Sequence, residues 1–169
     1  RALADNSRNL DDEQLPALRD NGGVMHTVAL GTFVSDAAAA RGDAIRTLRA
    51  DVGLPRFGPA DPAGLDGAAR GEYDRRMAEI DGRWPAADVA TFVDHIDYAV
   101  ELIGLDHVGI SSDFDGGGGV VGWNHAGETF NVTLELVRRG YTEAEIAQLW
   151  GGNLLRVLRE VERVAAASR

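Results

Sequence analysis

An α/β fold with parallel strands is what this sequence predicts, on three observations. Helix-like and strand-like segments alternate along the chain in helix–strand–helix–strand–helix order. The two strand-like segments, 24–30 and 107–111, are short and mostly apolar, as strands buried on both faces of a parallel sheet are. The second breaks off into Asp113 and Asp115 and then a row of glycines. In α/β proteins the C-terminal ends of strands are where ligands sit. Two strands are too few for a free-standing sheet of this kind. The chain also opens at Arg1, directly in a polar segment, so it is expected to be the later part of a longer protein.

Each element has a local reason. Asp11 or Asp12 can cap a short helix running to about Arg19, because a carboxylate accepts the unpaired first-turn N–H groups. Asn21-Gly22-Gly23 ends it with residues that tolerate a left-handed backbone. After the first strand, Ser35 or Asp36 starts a helix to about Asp51, and the proline- and glycine-rich stretch 52–67 reads as a loop. A charged helix from about Ala68 to Gly82 follows, and residues 52–84 together read as a peripheral insertion. Pro85 fits the first turn of the next helix. There Val89, Phe92, Ile96, Val100 and Ile103 form one apolar stripe, ended by Gly104. Beyond the second strand come a helix from Glu128 to Arg139 stopped by Gly140, and another opened by the capping-box spacing of Thr142 and Glu145. Gly151-Gly152 breaks that helix, and Asn153 can cap the last one, striped by Leu154, Leu155, Val157, Leu158, Val161 and Val164.

Composition narrows the function. The 169 residues suit a single domain, and 44% hydrophobic with 26% charged residues is globular composition. A net charge of −10 argues against nucleic acid as a partner, since phosphates demand basic surface. No apolar run reaches the ~18–20 residues that a membrane span needs. Cysteine is absent, which removes disulfides, thiolate catalysis and Cys-ligated zinc within the chain. Lysine is absent too, so there is no Walker lysine and no Schiff-base lysine. The 17 arginines and many alanines point to a high-GC, bacterial genome, with cytoplasm and periplasm both open as compartments.

Five groupings could carry chemistry. Gly117-Gly118-Gly119-Val120-Val121-Gly122 satisfies G-x-G-x-x-G in form. A dinucleotide site needs a helix starting within the motif, and Trp123-Asn124-His125-Ala126-Gly127 intervenes, so a loop is favoured. A calcium loop from Asp113 has Gly117, with no side chain, at its fifth position and Asn124 in place of a bidentate glutamate at its twelfth. Asp113 and Asp115 would share a face on an extended backbone, where paired carboxylates bind a cation, split their pKa values, or simply sit in solvent. His26, His95, His107 and His125 lack the spacing of a zinc pair; the first three read as structural, and His125 could reach a ligand in the glycine-rich loop. Arg8, beside Asn9, could clamp a carboxylate, although pairing with Asp11 or Asp12 is the commoner fate of such an arginine.

Taken together the segments resemble the membrane (renal-type) dipeptidase family of zinc peptidases, among the amidohydrolase-like barrels. Four blocks carry the likeness, in family order across nearly the whole chain: Arg1-Ala2-Leu3 with Arg8-Asn9-Leu10 and Asp12; Gly22-Gly23-Val24-Met25; His107 through Gly116; and Gly152 through Leu158. The resemblance implies the C-terminal portion of a distorted (β/α)8 barrel, with its site at the strand C-termini. It implies hydrolysis of dipeptides at two zinc ions that polarise the scissile carbonyl and activate water. Asp113 matches the family aspartate that handles the proton and contacts the substrate's amino end. Arg8 matches the arginine that grips the substrate's terminal carboxylate, which displaces the duller reading of Arg8. The family's metal ligands lie upstream of the position matching Arg1, so the resemblance places no metal ligand in this chain, and the missing N-terminal half of the barrel is an expected partner. By itself the chain is expected to bind no binuclear centre and to be inactive. A homodimer is a further option. The competing class is a metal-free barrel relative acting as a binding or structural subunit; upstream histidines and a His-x-Asp pair would favour the enzyme.

Overall fold

A computed structural model describes residues 1–57 and 61–168, so the part of the expected 52–67 loop at 58–60 lies outside the described residues. The fold is mixed α/β and mostly helical. Two short strands, β1 (Met25–Val28) and β2 (Val108–Ser111), pair in parallel with Met25 opposite Val108 and Val28 opposite Ser111. Val108 and Ile110 turn one face of the pair into the hydrophobic core, while Gly109 and Ser111 alternate onto the other. On that second face the ring of His26 lies over Gly109: a Cβ there would meet His26 Cδ2 and Nε2, both at 2.7 Å.

Local chemistry sets most helix starts. Helix α1 (Gln14–Asp20) begins where Asp11 Oδ1 accepts from the Gln14 N–H at 2.9 Å. A four-residue turn, α2 (Gly31–Val34), follows β1 and has no counterpart in the sequence reading. Ser35 caps α3 (Asp36–Asp51) and Asp66 caps α4 (Gly67–Arg83). Helix α4 buries Ile80 and is tied to α3 by Arg41–Asp81 (2.6 Å) and Arg76–Asp51 (2.8 Å). Helix α5 (Val89–Ile103) starts at Asp88, whose carboxylate accepts from the Thr91 N–H at 2.8 Å and is held below the usual carboxylate range by that bond. Pro85 therefore lies ahead of the helix, not in its first turn: the cap belongs to Asp88, which can accept an N–H where proline offers no side-chain acceptor.

Helix α5 supplies the centre of the core. Phe92, Val93 and Ile96 are fully buried, joined by Ala99 and Ile103 from the same face. Each of the four larger side chains, Phe92, Val93, Ile96 and Ile103, contributes about 1.5–3 kcal/mol on burial. Helices α6 (Thr129–Arg138) and α7 (Glu143–Ala147) close over it through Val132, Leu136 and Ile146. The Thr142–Glu145 capping box forms in both directions. Arg139 clamps α5 to α6, reaching Asp94 at 2.6 Å, Asp97 at 2.7 Å and Glu135 at 3.0 Å.

A π-type turn over Gln148–Gly152 leads from α7 into α8 (Asn153–Ala167), with its irregular residue at Gly151. Asn153 does not cap α8. It is buried, and its Nδ2 donates to Leu105 O at 2.7 Å and Val108 O at 2.8 Å, pinning the helix start to the beginning of β2. Arg156 adds bonds to Gly22 O and Asp106 O. Beyond these pins the apolar stripe of α8 stands in solvent, with Leu154, Leu155, Leu158, Val161 and Val164 about half exposed. Among the described residues no helix is long and apolar enough to cross a membrane.

Candidate functional site

The C-terminal ends of β1 and β2 carry the residues singled out in the sequence. Asp113 follows β2 by two residues and takes a left-handed conformation, φ 54°, which no other non-glycine residue adopts among those described. Strain of this kind concentrates where a side chain must be aimed. The turn Phe114–Gly116 succeeds it, so Asp113 and Asp115 are not on an extended backbone and do not share a strand face as expected; both are exposed. The turn is closed by the Asp113 carbonyl, which accepts from Gly116 N–H at 3.0 Å and Gly118 N–H at 2.7 Å.

Two anchors hold this loop in place. Phe114 meets Trp123 edge-on at 5.4 Å, and Trp123 in turn packs against Phe92 at 5.5 Å and Trp150 at 5.8 Å. The Gly119 N–H donates to Ala29 O at 2.5 Å, lashing the glycine row to the segment that leaves β1. A dinucleotide fingerprint would start a helix near Gly119; the chain instead makes bridges at Gly119, Val120 and Val121 and reaches its next helical turn at Ala126–Glu128.

Arg8 sits in the segment 1–10, which is fastened to the turn after β1. Asn6 Nδ2 donates to Thr32 O at 3.0 Å, and Asn9 Nδ2 donates to Phe33 O at 2.8 Å. The Arg8 guanidinium lies over the Phe33 ring at 5.4 Å, and among the described residues no carboxylate pairs with it. The acids Asp11 and Asp12 are engaged elsewhere: Asp11 with the first turn of α1 and with Arg1, Asp12 with the Tyr98 hydroxyl at 2.9 Å. Arg8 also lines a cavity of about 220 Å³ together with Asn9, His26, His95 and Tyr98. Asp113 is not in that cavity's wall. Both candidates belong to the same end of the strand pair, yet no hydrogen bond or ion pair among the described residues joins them.

The histidines do not form a metal site. His95 Nε2 lies 3.0 Å from Val34 O, and burial holds its pKa below the ordinary imidazole range. His107 Nδ1 meets Gly23 O at 2.7 Å, and His125 Nδ1 accepts from the Gly127 N–H at 3.1 Å. Among the described residues no group of three or more His, Asp or Glu could hold a metal ion. These residues therefore do not fit a zinc centre by themselves. The sequence reading missed Phe33 as the platform under Arg8 and Trp123 as the anchor of the Asp113 loop. A tryptophan just after a glycine row is the one signal that pointed toward the second.

The chain belongs to the membrane dipeptidase family (Peptidase family M19), whose model matches residues 1–169. It is similar to the probable dipeptidase PvdM from Pseudomonas aeruginosa, at 42% identity and TM-score 0.66, covering 92% of this chain and 41% of that one. Dipeptidase 3 of Macaca fascicularis is 28% identical over 171 residues, which is all of this chain and 25% of that protein. Dipeptidase ataJ of Aspergillus terreus is 47% identical over 74 residues, 43% of this chain and 18% of that protein. The chain thus spans a quarter or less of the length of these curated relatives.

Proposed function

We propose that this chain forms the C-terminal portion of a (β/α)8-type dipeptidase barrel and supplies the substrate-orienting and proton-handling side chains for dipeptide hydrolysis. Arg8 would grip the terminal carboxylate of the dipeptide through its guanidinium fork, which geometry suits to a planar two-oxygen anion. Stacking on Phe33 keeps that fork in place while leaving its N–H groups unpaired by any described carboxylate. Asp113 would accept the proton of the attacking water and return it to the leaving amine, and its negative charge would favour the substrate's ammonium end. The zinc centre that the resemblance implies has no ligand set among the described residues; it would be carried by segments outside this chain, as would the remaining strands of the barrel.

The observation that carries this reading is the left-handed Asp113 at the C-terminal end of β2, inside a family match that runs the length of the chain. The test is steady-state hydrolysis of free and C-terminally amidated dipeptides by the full-length gene product. Asp113→Asn should lower kcat by about 100-fold or more with metal content unchanged, the scale of a lost general base. Arg8→Ala should raise KM for free dipeptides far more than for the amidated ones. Near-normal turnover of Asp113→Asn, or equal effects of Arg8→Ala on both substrates, would remove that residue from the site.

A further inference from the structure

Gly116 occupies an unusual place relative to Asp113. A Cβ added at Gly116 would meet the Asp113 carboxyl group itself: Oδ1 in hard overlap, Cγ at 2.8 Å and Oδ2 at 2.9 Å are the three nearest atoms. The backbone of Gly116 is not in the left-handed region, which within this turn is taken by Asp113 and Gly117. Conformation therefore does not require glycine at 116, since an L residue can adopt the same backbone. What requires it is space.

From this we infer that Gly116 is a positioning residue: its missing side chain is the berth in which the Asp113 carboxylate lies. The inference rests on the role proposed above for Asp113. The backbone of Asp113 is fixed independently, by the two N–H groups on its carbonyl and by Phe114 locked against Trp123. Side-chain rotation is the freedom that remains, and among the described residues no hydrogen bond holds the carboxylate. Gly116 lets the group fold back over the turn; a methyl there would drive it to another rotamer. Because the collision is with the free end of a side chain and not with backbone, the loop itself has little reason to move. Gly118 makes the contrast, since a Cβ there would strike the backbone of Ser112 and Asp113.

A double-mutant cycle on the full-length protein tests this, using kcat and KM for a free dipeptide with thermal melting alongside. Gly116→Ala should lower kcat by about 10- to 100-fold, the scale expected for a reacting group displaced by about 1 Å. KM and Tm should change little. In the Asp113→Asn background the same substitution should cost no more than about twofold, because coupled sites are strongly non-additive. A purely structural glycine would give equal losses in both backgrounds, and that result overturns the inference. If Asp113→Asn is crippled while Gly116→Ala turns over normally, the positioning role falls and the role of Asp113 stands. If Asp113→Asn is itself near normal, the role of Asp113 falls and takes this one with it. Should Gly116→Ala lower Tm, it must lower it clearly less when added to Asp113→Ala, where the colliding carboxylate is gone; an equal loss in both backgrounds refutes the berth.

Discussion

Replacing Asn153 tests how the last helix is held to the sheet. Its side chain is 2% exposed and spends both amide hydrogens on backbone carbonyls, Leu105 O at 2.7 Å and Val108 O at 2.8 Å. Asn153→Ala withdraws both donors and leaves a small void. Leu105 O retains the Val108 N–H, so its loss lies at the low end of the about 1–3 kcal/mol that an abandoned buried acceptor costs. Adding Val108 O and the void gives about 2–4 kcal/mol in all. At about 2–4 °C per kcal/mol for a domain of this size, Tm should fall by about 4–16 °C. Asn153→Asp is the sharper control because it keeps the volume and removes the donors. At neutral pH its carboxylate faces two carbonyl oxygens, so it should destabilise more than alanine. Protonation restores one donor, so that excess should shrink toward pH 4. Urea unfolding followed by circular dichroism, at pH 7 and pH 4, reads both effects. An Asn153→Ala variant within about 0.5 kcal/mol of the parent, the range of an ordinary surface change, would refute the pin.

Three further outcomes follow from the same packing. Trp123→Ala should cost about 3–5 kcal/mol as a buried aromatic deletion and should diminish the near-ultraviolet circular dichroism from its contacts with Phe92, Phe114 and Trp150. Gly118→Ala should destabilise by about 1–3 kcal/mol, since the added methyl meets backbone, and a melt unchanged from the parent would contradict it. His95, whose pKa burial holds below that of the unfolded chain, contributes fully above about pH 6.5; this contribution is lost as pH falls from there through its folded-state pKa, because the unfolded chain takes the proton first. Urea midpoints measured from pH 7.5 to pH 5 should show that slope, and His95→Gln should flatten it.

What the sequence disclosed was what short-range chemistry decides. Ser35 and Thr142 cap helices because a side-chain oxygen two or three residues ahead of a free N–H needs no tertiary partner. Gly104 and Gly140 end helices through their own positive φ. The α5 stripe was readable because its buried residues repeat with the helix. The place of Asp113 just beyond a strand end was readable because a strand that stops at a carboxylate is a local pattern. The misses are long-range. Asn153 looks like a cap by position and acts as a donor to a strand 45 residues away. Phe33 lies in a four-residue helix too short to show periodicity, and only folding brings it under Arg8. The stripe on α8 announces an apolar face without saying what meets it. The role of Gly116 appears only once the direction of a neighbouring carboxylate is known.

The hollow at Gly109 has a mechanical effect on the site above it. The imidazole of His26 fits across that gap, and sliding one strand past the other by a single step would bring it level with Val108 or Ile110, where a branched residue replaces the gap. A bulky ring and one vacancy thus act as key and lock for the alignment of two ribbons. The segment bearing Arg8 rides on the ribbon that ends at Val28, and Asp113 tips the other. One step of slippage would shift guanidinium against carboxylate by about 3.3 Å along the strands.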